Sequence, residues 1–422
     1  MSNGERGVAV AVEALRKMPD AQTESDDMTI RNTISKSKKT TVLLRQSVIP
    51  NAPIVYGIVQ PGEHDPDGIA FVQSRDLGNK IVAISLQRTS KEIASRYTRS
   101  TIEPDDILFS LRGNIGMSSI AEQDLKGANI SRGVARIRVT DSFDPFFVRY
   151  ALQSDEVCKR IFQAKNGSTF NEITIDALRK IEIPRFSKSE QVEIAAVLRT
   201  WDEAIEILLR LSELRQKQYL GLRDHLIDWS KHQRAAKEFL NPVSRPVSKP
   251  TSGYRALSIR SHGKGTFDRY VENPESIEMD TLYVVKSGDI IVNITFAWEG
   301  AVALVPRDHD GCLVSHRFPT FVPKMERVDA RYLRHALRMA RFTYLLGIVS
   351  PGGAGRNRVL SKSDFLDLMV PLPPLDQQRR IAMILNDAED AISAEEKYLS
   401  ALKRQKRGLM QKLLTGEWRV KC

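Results

Sequence analysis

Cysteine is scarce in this chain. Among 422 residues only Cys158, Cys312 and Cys422 carry thiols. They lie too far apart for a C-x-x-C pair, which argues against a disulfide framework and a zinc site. No run of about 18 apolar residues occurs, so no membrane-spanning helix is expected. The opening MSNGERGVAVAVEALRKMPD lacks the basic-then-apolar order of a secretory signal, and the chain is expected in the cytoplasm. Nucleotide-handling motifs are also missing. GKGT at Gly263–Thr266 lacks the upstream glycine of a phosphate-binding loop, and no G-x-G-x-x-G follows a strand. The Asn-Pro pairs at Asn241 and Asn273 lack the aromatic neighbour on which an amino-methyltransferase stacks a flipped base. The seven histidines, at 64, 225, 232, 262, 309, 316 and 335, make no H-E-x-x-H spacing. The chain therefore reads as a non-catalytic protein with no metal site and no cofactor of its own. One weak acidic pattern, Pro104-Asp105 followed by Asp124-Leu125-Lys126, resembles that of metal-dependent nucleases. The second half has Gly288-Asp289 at the matching place with no lysine triplet after it.

Positive charge is plentiful. The formal net charge of +11 favours a polyanionic partner, nucleic acid first. At this length two or more packed units are expected, and the sequence repeats itself accordingly. IPRFSKSEQVEIAAVL, from Ile183, is answered by VPLPPLDQQRRIAMIL, from Val370. The offset of 187 matches Pro184 to Pro371, Gln191 to Gln378 and Leu198 to Leu385, and continues ungapped to Leu226 and Leu413. Upstream, EPDDILFSLRGNIG (Glu103–Gly116) is echoed by KSGDIIVNITFAWEG (Lys286–Gly300), and DPFFVRYAL (Asp144–Leu152) by DARYLRHAL (Asp329–Leu337). So long a period means duplicated domains and not a stacked solenoid. Each half reads as a mixed α/β globule with short β-branched runs, followed by one long helix.

The helices carry coiled-coil-like seams. Leu198, Trp201, Ile205, Leu208, Tyr219, Leu222 and Leu226 line the first; Leu385, Ala388, Ile392, Leu399, Leu402, Leu409 and Leu413 line the second. Ser212 and Arg215 interrupt the first stripe, Glu395 and Lys406 the second. Ser187-Lys188-Ser189-Glu190 has the form of a capping box and Gly416 that of a stop. Antiparallel pairing of the two helices is the easier outcome with a globule between them. NPVSRPVSKPTSG (Asn241–Gly253) reads as an extended connector. The expected division is a flexible segment 1–40, a first domain 41–186, a central helix 187–232, a Pro-rich linker 233–253, a second domain 254–372 and a C-terminal helix 373–422.

Loop residues beside the echoed strands suit base edges and phosphates. In the first half these are Arg112, Asn114, Ser131, Arg132, Asn166, Ser168, Thr169 and Asn171. In the second they are Thr295, Trp298, His316, Arg317, Gly353, Arg356, Asn357 and Arg358. SPGGAGRNR (Ser350–Arg358) stands out because its glycines let backbone amides approach phosphates.

The phrase VPLPPLDQQRRIAMIL, leading into a helix that ends near LMQKLLTGEWRV, closely resembles the end of specificity subunits of Type I restriction-modification systems. VYGIVQPG (Val55–Gly62), DDILFSLRGNIG and IPRFSKSEQ fall in the order of that family, and the duplication is its hallmark. The resemblance implies two target-recognition domains, each reading one half of a split DNA sequence, held apart by an antiparallel helix pair. It implies methyltransferase subunits docked on the helices, at Leu198, Ile205, Leu222, Leu385, Ile392 and Leu409, and a restriction/translocase subunit. S-adenosylmethionine, ATP and Mg2+ would then belong to those partners. A helix of about 40 residues at 1.5 Å each is a rod of roughly 60 Å, which limits the unread spacer to about 18 base pairs. The competing readings are a stand-alone tandem-domain nuclease or regulator and a helical scaffold with no DNA role. The first doublet has one proline where the second has three, a departure from the family's pattern, so equal docking geometry in the two halves does not follow from the resemblance.

Overall fold

The Ser187 hydroxyl and the Glu190 carboxylate cap each other's backbone N–H groups, at 3.4 and 3.2 Å, and open the first long helix, Lys188–Leu226. The second, Leu375–Thr415, follows Pro373-Pro374 and stops at Gly416, whose φ of +75° a side chain would resist. A computed structural model of the chain describes residues 40–78, 81–164, 172–352 and 358–420; the segment expected at 1–40 lies, apart from Thr40, outside them. The chain divides into two compact units, one holding the residues up to Leu209 and those from Tyr398 onward, the other Arg210–Lys397. The division falls inside both long helices.

In the first unit a four-stranded sheet has the order Val55–Tyr56, Val134–Ile137, Ile107–Ser110, Ser118–Ile120. Its central strands are buried on both faces, as their continuous apolar runs require. Ile107, Phe109, Ala135 and Ile137 face a core shared with Phe147, Leu152 and Leu198, whereas Leu108 and Val134 face a smaller core with Val72 and Ile130. Thr41–Leu43 pairs with Glu182–Pro184, so that Thr41 stands opposite Pro184.

The second unit repeats the plan. Its sheet runs Leu240–Val243, Thr320–Pro323, Ile290–Val292, Val302–Leu304, with Ile290, Val292 and Phe321 in a core that includes Leu333 and Leu385. Gln233–Ala235 pairs with Met369–Pro371, setting Gln233 opposite Pro371. The stretch 233–253, expected to be a Pro-rich linker, contributes three strands to this domain. Leu240–Val243 and Pro246–Ser248 are edge strands, paired on one side with Thr320–Pro323 and Thr281–Val284. An edge strand tolerates Pro242 and Pro246 because half of its N–H groups have no ladder partner to lose.

The antiparallel pairing is seen within each unit. In the first, Glu190 meets Arg419 at 2.9 Å and Asp202 meets Lys406. In the second, Arg215 meets Glu395 at 3.0 Å and Tyr219 meets Glu389 at 2.8 Å. Two of the polar interruptions of the seams are thus each other's partners, Arg215 and Glu395, and a third, Lys406, answers Asp202.

Candidate nucleic-acid interface

Three turns meet at one end of the first unit's sheet. The Leu111 N–H donates to the Gly133 carbonyl at 2.8 Å, and the Ile173 N–H donates to the Leu111 carbonyl at 3.0 Å. These bonds gather the Arg112–Gly116 turn, the Ser131–Gly133 turn and the chain around Glu172. Gly113 and Gly116 hold φ of +69° and +93°, which L side chains avoid, and Asn114 between them is exposed. Arg132 is exposed as well. Arg112 is tied into its turn: its backbone bridges to Glu172 and its guanidinium meets the Glu172 carboxylate at 2.7 Å. Tyr56, half exposed, was not singled out from sequence. The next residue brings it here: Gly57 lies so close to the Ile130 carbonyl that a Cβ would sit 1.8 Å from the oxygen.

The second unit has the same wiring. Ile294 N–H donates to the Arg317 carbonyl at 3.1 Å, and Leu360 N–H donates to the Ile294 carbonyl at 3.0 Å. Thr295, Ser315–Arg317 and Arg358 are drawn to that sheet end, with His316 and Arg317 exposed. The Arg358 guanidinium lies over the Trp298 ring, 5.4 Å from its centroid, a cation–π contact that makes the two expected residues one structural feature. Exposed Phe296 beside them is a further residue that sequence reasoning missed. Ser168, Thr169, Asn171, Gly353, Arg356 and Asn357, with Asn166, lie outside the described residues.

The acids of the echoed motif are structural. The Asp106 carboxylate accepts two hydrogen bonds from Arg138, at 2.7 and 2.8 Å, and the Glu103 N–H at 2.8 Å. Asp289 accepts from Arg245 at 2.6 and 3.1 Å and from the Lys286 N–H at 2.8 Å. The bond to Asp106 raises the Arg138 pKa, and in each half the pair holds the turn before the central strand. Of the nuclease-like pattern, Asp105 sits at a φ of +66° in that turn and Lys126 pairs with Glu103 at 3.8 Å. Arg136, fully buried, donates to the Pro53 carbonyl at 3.2 Å, and burial pulls its pKa down.

The seam residues expected to dock partner subunits point inward instead. Leu198, Leu385 and Ile392 are buried, and half-buried Leu222 and Leu409 pack on the cores of their own units; Ile205 is half-buried. The reason is that the stripe that pairs the helices cannot also face outward. Val192, Val197, Ile207, Leu209, Leu214, Leu220, Met383, Ile384 and Tyr398 are the large apolar residues of the long helices left exposed, and falling off the seam is the signal that could have found them.

A family model described as "Type I restriction modification DNA specificity domain" matches residues 64–214 and again 264–404. The Type I restriction enzyme EcoBI specificity subunit of Escherichia coli is 31% identical over 154 residues, 36% of this chain and 32% of that one; the match thus spans about a third of that relative's length. The Type I restriction enzyme MjaIX specificity subunit of Methanocaldococcus jannaschii is 24% identical over 383 residues, 83% of this chain and 87% of that one. The crystal structure of a Type I restriction-modification S subunit from M. genitalium superposes with a TM-score of 0.54 at 18% identity, covering 91% of this chain and 98% of that one, a likeness of fold. Among the described residues no helix is long and apolar enough to cross a membrane.

Proposed function

The chain belongs to the Type I restriction-modification DNA specificity family and carries its domain twice, and from that premise we propose that each unit reads one half of a bipartite DNA target with the loops at its sheet end. The observation that carries this reading is the identical wiring of the two sheet ends, through the bonds of Leu111 to Gly133 and of Ile294 to Arg317. Correspondingly wired sheet ends carry different side chains: Asn114 and Arg132 in one, Thr295, Trp298, Arg317 and Arg358 in the other. Two copies of one platform with different tips suit two different half-sites, because base edges are discriminated by the donors and acceptors the tips present.

The helix pair sets the length of the unread spacer, and its outward faces take the methyltransferase subunits. The chain itself recognises and does no chemistry; S-adenosylmethionine serves the methyltransferase subunits, and ATP and Mg2+ serve a restriction/translocase subunit. Its place of work is the cytoplasm, with the DNA. Arg132, Arg317 and Arg358 supply cationic contacts, whereas Arg112 supports its turn through Glu172.

The test is to map methylated adenines in cells that hold the partner subunits, with and without this chain. A bipartite motif that vanishes on deletion is expected. An unchanged set of methylated motifs would overturn the reading.

A further inference from the structure

The repeat offset matches Asp202 to Glu389 and Tyr219 to Lys406, and the structure joins these four residues crosswise. In the second unit the Tyr219 hydroxyl, from the first long helix, donates to Glu389 Oε1 on the second at 2.8 Å. Arg338 donates to the same oxygen at 2.6 Å, and Arg334 pairs with Oε2. Both arginines come from the domain's own helix, Ala330–Leu337, and its C-cap. In the first unit Lys406, from the second long helix, pairs with Asp202 on the first. The hydroxyl of Tyr150 donates to Asp202 Oδ2, and Arg149 stands 3.9 Å from it; both belong to the domain's helix Pro145–Gln153. Each half thus has one acid on a long helix that takes a donor from the opposite long helix and donors from the globular domain.

Most of these groups are sheltered. Tyr150 and His335 are fully buried and Tyr219 is 4% exposed; the Lys406 and Glu389 side chains are 16% and 18% exposed, and that of Asp202 is 37% exposed. Burial opposes the charge on Glu389, but Arg334 and Arg338 more than offset it and hold its pKa below the usual range. An apolar seam alone defines a register weakly, since sliding by one heptad again meets apolar residues. A polar group in the seam does not slide, because every other register strands it unpaired. Arg215 and Glu395 add a further ion pair between the helices, the remaining seam residues apart from Ser212 are apolar, and the acids Asp202 and Glu389 occur at matching places of the repeat.

We propose that Asp202 with Lys406, and Glu389 with Tyr219, are positioning residues that fix the antiparallel register of the helix pair and the seat of each recognition domain on it, and so the spacer length that is read. This rests on the bipartite reading above and names the side chains that set its geometry.

The test uses the full chain co-expressed with its methyltransferase subunits and a DNA library holding the native half-sites at the native spacer and at spacers one and two base pairs longer and shorter. Lys406→Met and Glu389→Gln are expected to narrow the preference for the native spacer by about tenfold, the discrimination that one such hydrogen bond represents, with the half-site sequences unchanged. Lys406→Arg, which keeps the charge, retains the preference. A variant whose methylation drops by the same factor at every spacer, with the native preference kept, overturns the inference and leaves these residues a purely structural role, as does a Lys406→Arg variant that behaves like Lys406→Met. A native protein that methylates no bipartite sequence takes the bipartite reading down with it.

Discussion

Gln378, fully buried at the start of the second long helix, accepts the backbone N–H of Asp329 through its side-chain oxygen at 2.9 Å. Its amide nitrogen donates to the carbonyls of Arg327 and Pro373, at 3.0 and 2.8 Å. Gln191, its match in the repeat, accepts the Asp144 N–H at 2.9 Å and donates to the Ser142 and Phe186 carbonyls at 3.2 and 3.0 Å. Asp329 and Asp144 in turn cap the helices Ala330–Leu337 and Pro145–Gln153. The glutamine of the doublet therefore ties the long helix to the globular domain in both halves.

Replacing Gln191 or Gln378 by leucine keeps the volume and strands three backbone groups. A loss on the order of 3 kcal/mol is expected for each, checked by denaturant unfolding of the full chain. A loss below the error of the measurement would show that the bonds are not needed.

At the sheet ends, Arg132→Ala should relax discrimination in one half-site and Arg317→Ala in the other. Arg112→Ala should cost less than Arg132→Ala, because Glu172 already engages its guanidinium. Methylation of randomised half-sites measures both. A uniform weakening, with the salt dependence less steep by about one ion, would assign the side chain to a phosphate; no effect would remove it from the interface.

Seven residues inserted after Leu209 and matched by seven after Lys397 keep both seams in phase. They should lengthen the spacer by about 10 Å, or about three base pairs, read directly from the methylated motif. An unchanged spacer would sink the ruler.

Acid should loosen the second unit through His335. Its Nδ1 lies 3.0 Å from the Tyr219 hydroxyl and its Nε2 2.9 Å from Asn386 Oδ1, with Arg334, Arg338 and Glu389 around it. Burial pushes its pKa down to about 4, whereas an unfolded histidine titrates near 6.5. The unfolded chain thus binds the proton first. The contribution is complete above about pH 6.5 and declines as pH falls toward 4. His335→Gln should flatten the fall in melting temperature over that window; an equally steep fall would assign it to other groups.

The long helices were legible because their evidence is local: a seam repeating every three or four residues, a capping box at Ser187 and Glu190, a glycine at 416. The duplication was legible because a shared register is a property of the string. The sheet-end loops were legible in part. Their residue types and positions beside echoed strands were visible, and the structure gathers the described ones at two sheet ends. That Arg112 is tied to Glu172, or that Tyr56 is brought to the same end by the close approach of Gly57 to Ile130, was not visible, since each contact joins segments about 60 or more residues apart.

By itself the sequence determined the number of domains, their shared plan, the two long helices and the family to which they belong. Only the tertiary structure decided what the polar interruptions mean. Arg215 and Glu395 look like defects when each seam is considered alone, and become a pair at 3.0 Å once the helices meet antiparallel. It likewise decided that 233–253 is woven into edge strands, for proline content signals only that an N–H is missing. Whether that loss matters depends on whether a neighbouring strand needs the donor. Local propensity acts within a turn or two of the chain, whereas pairing is decided by which surfaces finally touch.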